Sequence, residues 1–385
     1  ERAHVLVRGQ LRPVARGIRD ASPGSTMSHF RLLKDPDSYV AHDLDLLGDD
    51  QARPYWLDLF ARHFEVTLEH AAERYGPKAQ KGIDGARRDF AAHMETLRND
   101  PAALGDGTLN VIQLCRLREQ VLRAHRLDDP FALIKRREND SAMNLYMDVV
   151  RKLHAMEAEP KWLHLIECVF AGNLFDLGAT PTLELARKPM DFLQTVENTK
   201  PRPWLVDDYD TLGPLLHAAP PTPWAKAVVF VDNAGADFIL GVMPLVREMA
   251  LGGTQIILAA NERPTLNDIT ADETVDVVER LAEMDQHLAA LIQANMFEVV
   301  STGNDIPLID LREVSDELNA AAEGADLVLL EGMGRAVESN YHAQFTTDAL
   351  LLALLKDTAV AAGLHGDVYD CVCKFTPVES AEGDG

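Results

Sequence analysis

The stretch Ala227-Val228-Val229-Phe230-Val231-Asp232-Asn233-Ala234-Gly235-Ala236-Asp237 decides the fold. Its first five residues are apolar without alternation, the pattern of a strand buried on both faces. It then stops abruptly on an acid, an amide and a glycine, residues that turn a chain or cap a helix. Apolar runs of strand length recur at 255–259, 297–300, 327–330 and 368–372, with helix-like segments between them. Alternation of buried strands and helices predicts an α/β fold: an open, doubly wound, Rossmann-like and mostly parallel sheet domain over 225–378.

Upstream the period changes from strand-like to helical. Leu57, Phe60, Phe64, Leu68, Ala71 and Tyr75 form one stripe, and Ile83, Ala86, Phe90, Met94 and Leu97 another. Trp162, Leu165, Ile166, Val169 and Phe170 mark a third, so 31–197 reads as a helical N-terminal domain. These stripes read as core. Residues 198–224, with Pro201, Pro203, Pro214, Pro220, Pro221 and Pro223, read as a connection. Residues 1–30 carry Arg2, Arg8, Arg12, Arg16 and Arg19 and read as a linker or leader, either an organellar transit segment or the start of a fragment. Residues 379–385 read as a tail.

Composition narrows the function. Among 385 residues, 37 Lys+Arg against 61 Asp+Glu give a formal charge of −24, which repels nucleic acid and anionic membrane surfaces. No apolar run approaches the ~20 residues of a spanning helix. Four cysteines, Cys115, Cys168, Cys371 and Cys373, are too few for a disulfide scaffold and suit a reducing compartment, so the cytoplasm is expected.

In open α/β sheets ligands gather beyond the carboxyl ends of the strands, where the polar residues of this chain concentrate. Asp232, Asn233 and Asp268 offer oxygen donors near adjacent strand ends, suited to a hard divalent cation. Equally, Asp232 and Asn233 suit the cap of a following helix. After the 327–330 run come Glu331-Gly332-Met333-Gly334-Arg335: glycines that let backbone approach a phosphate, and a guanidinium that forks onto one. The competing reading is a tight turn and a surface ion pair. Lys374 is a second candidate cation. Neither a Gly-x-x-x-x-Gly-Lys-Ser/Thr loop nor a dinucleotide fingerprint is present, and no histidine pairing suggests zinc chemistry.

Asp232-Asn233-Ala234-Gly235-Ala236-Asp237, Asn267-Asp268 and Glu331-Gly332-Met333-Gly334-Arg335 together resemble the metal-dependent damage-control phosphatase family. The last string is similar to the signature of its second subfamily, and Ala171-Gly172-Asn173-Leu174-Phe175-Asp176 and Trp204-Leu205-Val206-Asp207-Asp208 also look like its motifs. That subfamily includes the phosphatase half of bifunctional pantothenate-kinase-like proteins and stand-alone plant enzymes. The resemblance implies a helical N-terminal domain packed on a Rossmann-like α/β domain, a divalent metal (Mn²⁺, Co²⁺, Ni²⁺ or Mg²⁺) on Asp232, Asn233 and Asp268, and hydrolysis of phosphate monoesters of damaged or surplus metabolites. The implied substrates are 4′-phosphopantetheine and its oxidised or sulfonated forms, with phosphopantothenate a related one, so that coenzyme A synthesis is limited.

On this reading Arg335 and Lys374 stabilise transferring oxygens, and Gly332, Met333, Gly334 and Asn173 line the substrate. Asp237 and Glu331 compete for the role of general base. A kinase-like domain upstream in a longer parent chain and a homodimer are compatible partners. Two other classes remain open: an S-adenosylmethionine-dependent methyltransferase, which needs no metal, and a catalytically inactive regulatory or oligomerisation domain.

Overall fold

A computed structural model describes residues 27–42, 44–104, 107–174, 192–217 and 223–378. Most of the 1–30 leader, Phe175 and Asp176, Pro220 and Pro221, and the 379–385 tail lie outside these residues. The centre is a seven-stranded sheet: β1 (Val206–Asp207), β2 (Lys226–Phe230), β3 (Gln255–Ala260), β4 (Phe297–Ser301), β5 (Leu327–Glu331), β6 (Asp348–Leu354) and β7 (Cys371–Thr376). Their order is β1-β7-β6-β5-β2-β3-β4. All neighbours are parallel except β6 and β7. The expected α/β class with a mostly parallel sheet is therefore what the chain adopts.

Helices cover both faces. Within β2, Val228 and Phe230 point into one core, while Ala227 and Val229 point into the other. Helices α1 (Ala52–Tyr75), α2 (Gln80–Asn99) and α3 (Val111–Ala124) contribute to the Val228 side. Helices α4 (Ala132–His154) and α5 (Ala158–Leu174) contribute to the Val229 side. The helical half thus builds no core apart from the sheet; its stripes are buried as their spacing predicts, except Tyr75, which is half-buried.

Three features depart from the sequence reading. Residues 198–224 are not only a connection, because Val206 and Asp207 pair with Val372 and Cys373 to form the sheet edge, and Trp204 and Tyr209 pack in the core. The strand expected at 368–372 begins at Cys371, after a turn in which Tyr369 has φ 71°. A whole strand, β6, lies in Asp348-Ala349-Leu350-Leu351-Leu352-Ala353-Leu354, whose Leu and Ala favour helix locally. Pairing on both sides, with β5 and β7, overrides that preference.

The chain runs β2→β3→β4 to one side and returns with β5 on the other side of β2. The gap beyond β2 and β5 is therefore a switch point, where crossovers diverge and leave a crevice. Each of these two strands leads into a π-helical turn, Asp237–Val242 and Met333–Glu338. Such turns are uncommon and are frequent at functional sites.

Candidate metal and phosphate centre

The residues after β2 are held by a short antiparallel bridge. Ala234 N–H donates to the Asn267 carbonyl at 2.9 Å, and Ile269 N–H to the Asp232 carbonyl at 3.0 Å. This pairing places Asp232 and Asn233 beside Asp268. From the end of β3, Asn261 Nδ2 donates to Asp268 Oδ2 at 2.9 Å and fixes that carboxylate. The Arg335 guanidinium joins the two acids: Nη1 bonds Asp232 Oδ1, and Nη2 bonds Asp268 Oδ2 at 2.7 Å. Burial pushes the guanidinium down to about 9, still above neutrality, so Arg335 is a cation at pH 7.

A deeper set lies behind Asp232. One carboxylate oxygen from each of Asp232, Asp237 and Glu331 falls within 4.8 Å of the others, and all three residues are buried. Asn173, at the end of α5, donates Nδ2 to Asp237 Oδ2 at 2.8 Å and to Glu331 Oε1 at 3.1 Å. It reaches them because Gly172 lets α5 close on the π-helical turn, where a Cβ would stand 2.9 Å from Asp237 Cα. Asn233 Nδ2 donates to Asp232 Oδ2 at 2.9 Å and to Asp237 Oδ2 at 2.8 Å, and Asp232 N–H donates to Glu331 Oε2 at 3.1 Å. Burial raises the Asp237 carboxyl; the Lys356 charge and hydrogen bonds with Asn233, Asn173 and Glu331 oppose it.

The arrangement fits a divalent cation on two counts. Four buried carboxylates, Asp232, Asp237, Asp268 and Glu331, meet two nearby cations, Arg335 and Lys356, which leaves two formal negative charges. Among the described residues, Asp237 Oδ1 and Asn173 Oδ1 are buried acceptors without a hydrogen-bond partner, a cost that an oxygen-seeking cation relieves.

Asp232, Asn233, Asn267, Asp268, Met333 and Gly334 line a cavity of 300 Å³, together with Lys356. Gly332 makes the close approach possible. Its φ is 95°, and a Cβ there would stand 2.2 Å from Asp232 Oδ2, so any other residue is strained and displaces that carboxylate. Of the expected site residues, Asp232, Asn233, Asp237, Asp268, Glu331, Gly332, Met333, Gly334, Arg335 and Asn173 come together.

Lys374 does not join them. It lies inside β7 opposite Leu351, donates to the Tyr341 carbonyl and sits 4.2 Å above the Tyr341 ring. Lys356 occupies the position expected of it: Nζ donates to the Asn173 carbonyl at 3.2 Å, and the side chain lines the cavity. Sequence reasoning missed Lys356 because it missed β6; a polar residue ending the Leu350–Leu355 run was the available signal. Asp207 and Asp208 lie outside the centre and brace the sheet edge: Asp207 accepts from Trp204 N–H at 3.1 Å and pairs with Arg202 at 2.9 Å, and Asp208 accepts from Phe375 N–H of β7 at 2.9 Å.

The damage-control phosphatase ARMT1-like domain matches residues 59–372. The chain is 40% identical to a damage-control phosphatase of Arabidopsis thaliana, covering 84% of this chain and 88% of that protein. It is 38% identical to pantothenate kinase 2 of Arabidopsis thaliana, covering 91% of this chain but only 42% of the relative. It is 31% identical to the 4′-phosphopantetheine phosphatase of Mus musculus, covering 89% of this chain and 48% of that protein. Against two of these three relatives, then, the chain spans less than half of their length. The crystal structure of a DUF89 family protein from Pyrococcus horikoshii has the same fold, with a TM-score of 0.60 at 19% identity over 83% of this chain and 96% of that one. With the family pattern running from α1 into β7 and enclosing every residue of the centre, the chain belongs to the damage-control phosphatase ARMT1-like family.

Proposed function

We propose that this chain is a metal-dependent phosphomonoesterase acting on small phosphorylated metabolites, with 4′-phosphopantetheine and its oxidised or sulfonated forms as substrates, so that it limits coenzyme A supply. The observation that carries the reading is the placement of four carboxylates, Arg335 and Lys356 at the switch point between β2 and β5. The substrate class is supported by the names of the relatives in mouse and Arabidopsis. The same match favours phosphatase over the methyltransferase and non-catalytic readings.

Asp232, Asn233 and Asp268 face the cavity and are the residues that would hold the cation, with Asp237 and Glu331 behind them. When bound, such a cation (Mn²⁺, Mg²⁺, Co²⁺ or Ni²⁺) neutralises phosphoryl oxygens and makes water a better nucleophile. Arg335 keeps Asp232 and Asp268 in register. Lys356 and the backbone at Met333 and Gly334 present donors to phosphate oxygens from the cavity wall. Asn173 and Asn233 hold Asp237 and Glu331 by their amides, so those carboxylates position the centre or take a proton from water.

The test is phosphate release by the full chain from 4′-phosphopantetheine, its S-sulfonate and an aryl phosphate, after chelation and after return of each metal. The reading expects release restored by at least one metal, with the pantetheine esters preferred by kcat/KM. Release undiminished by chelator, or absent from every ester with every metal, contradicts it.

A further inference from the structure

A second and larger cavity, of 890 Å³, adjoins the centre. Trp56 and Glu338 line both cavities. The short helix α6 (Thr358–Gly363) also walls both, with Thr358 on the side of the centre and Val360 on the far side. Tyr55 Oη donates to Asp357 Oδ2 at 2.8 Å, which ties α1 to the start of this helix on the side of the smaller cavity.

The two spaces differ in character. The smaller one carries the acids and cations suited to a phosphate. In the larger one Val40, Trp56, Val337 and Leu364 supply apolar wall and Ser38 and Gln344 neutral hydrogen-bonding groups, with Lys34, Asp35, His42, Glu338 and His342 also on its lining. Val40 is 62% exposed, an apolar side chain left open to solvent at this cavity rather than packed into either core. An uncharged arm of mixed aliphatic and amide or hydroxyl character complements the stretch of this lining formed by Val40, Val337, Leu364, Ser38 and Gln344.

We infer that the larger cavity is the subsite for the arm of the substrate: a phosphate ester bound at Asp232 extends past Trp56 and Glu338, and its uncharged, amide- or hydroxyl-bearing chain lies against Val40, Val337 and Val360. This rests on the phosphatase reading and adds the basis of its selectivity. Esters whose non-phosphate part is too short to pass Trp56 forgo the contacts.

The experiment compares wild type with Val360→Trp and, independently, Ala343→Trp, both of which fill the larger cavity; thermal midpoints confirm folding. With Mn²⁺, each variant is expected to raise KM for 4′-phosphopantetheine at least about tenfold while leaving aryl phosphate hydrolysis within about twofold. Equal changes for both substrates, or no change for either, overturn the subsite. Calorimetric binding of 4′-phosphopantetheine supplies a readout that does not need turnover. If wild type releases no phosphate, the phosphatase reading fails by itself, and the subsite is then decided by binding. Affinity weakened about tenfold in the variants supports it; unchanged affinity, or no binding to wild type, overturns it.

Discussion

Arg335 spans Asp232 and Asp268, reaching with one guanidinium nitrogen an acid that follows β2 and with the other an acid on the loop that follows β3. Arg335 is only 2% exposed and both acids are buried, so these charges have little water to fall back on. Removing the cation leaves two buried carboxylates repelling each other. Arg335→Ala is expected to destabilise the fold by about 3–5 kcal/mol, because an uncompensated buried charge costs far more than an intact pair contributes. Arg335→Lys restores charge but not the fork and recovers only part of the loss. Urea unfolding of both variants at pH 7 checks this; equal stability of Arg335→Ala and wild type would refute it.

The second prediction concerns backbone. Gly332→Ala must either displace Asp232 or abandon a φ of 95°, since the new Cβ would meet the carboxylate. Mn²⁺ affinity should fall at least about tenfold, with about 1–3 kcal/mol lost in stability. Calorimetric titration with Mn²⁺ reads the first and urea unfolding the second; wild-type affinity in the variant would show that Asp232 is not held as described.

The two lysines separate the structural account from the sequence expectation. Lys356→Met should lower kcat/KM for phosphate release by about 100-fold, the usual scale for losing one donor to a developing anion. Lys374→Met, which loses a contact to Tyr341, should stay within about threefold. The reverse ranking would restore Lys374 to the centre.

Glu338, which lines both cavities, is raised from 4.5 to about 7, chiefly by burial and then by the Asp357 charge. The protonated form is favoured in the folded state. Its contribution to stability is therefore complete below about pH 4.5, the unfolded value, and is lost as pH rises through about 7. The loss is on the order of 2 kcal/mol, allowing for partial solvent access from the cavities. Glu338→Gln should flatten this slope between pH 5 and 8 in urea midpoints; parallel profiles for variant and wild type would exclude it.

Much of this architecture was legible because continuous apolar runs and helical stripes are signals of burial, and most of β2 to β5 and the first helices followed them. What was not legible depended on tertiary pairing. The Leu and Ala of β6 carry a helix preference that only flanking strands defeat, and β1 is two residues long in a Pro-rich stretch. The site inherited this: residues beyond the strands that could be read were found, while Lys356 was hidden behind the unread β6. Periodicity alone left Asp232 and Asn233 equally balanced between metal ligand and helix cap. The structure shows why the question was hard, since Asn233 N–H and Nδ2 both serve Asp237 Oδ2 at the head of a π-helical turn.

The central claim is that the Asp232 centre holds a divalent cation and hydrolyses a phosphate ester there. Its most direct test is Mn²⁺-dependent phosphate release from 4′-phosphopantetheine by wild type and Asp232→Asn, with the folding of both verified. The account predicts release by wild type that chelator abolishes, and a loss of about 1000-fold or more in the variant. Release by Asp232→Asn within tenfold of wild type, or wild-type release indifferent to chelator, would contradict it.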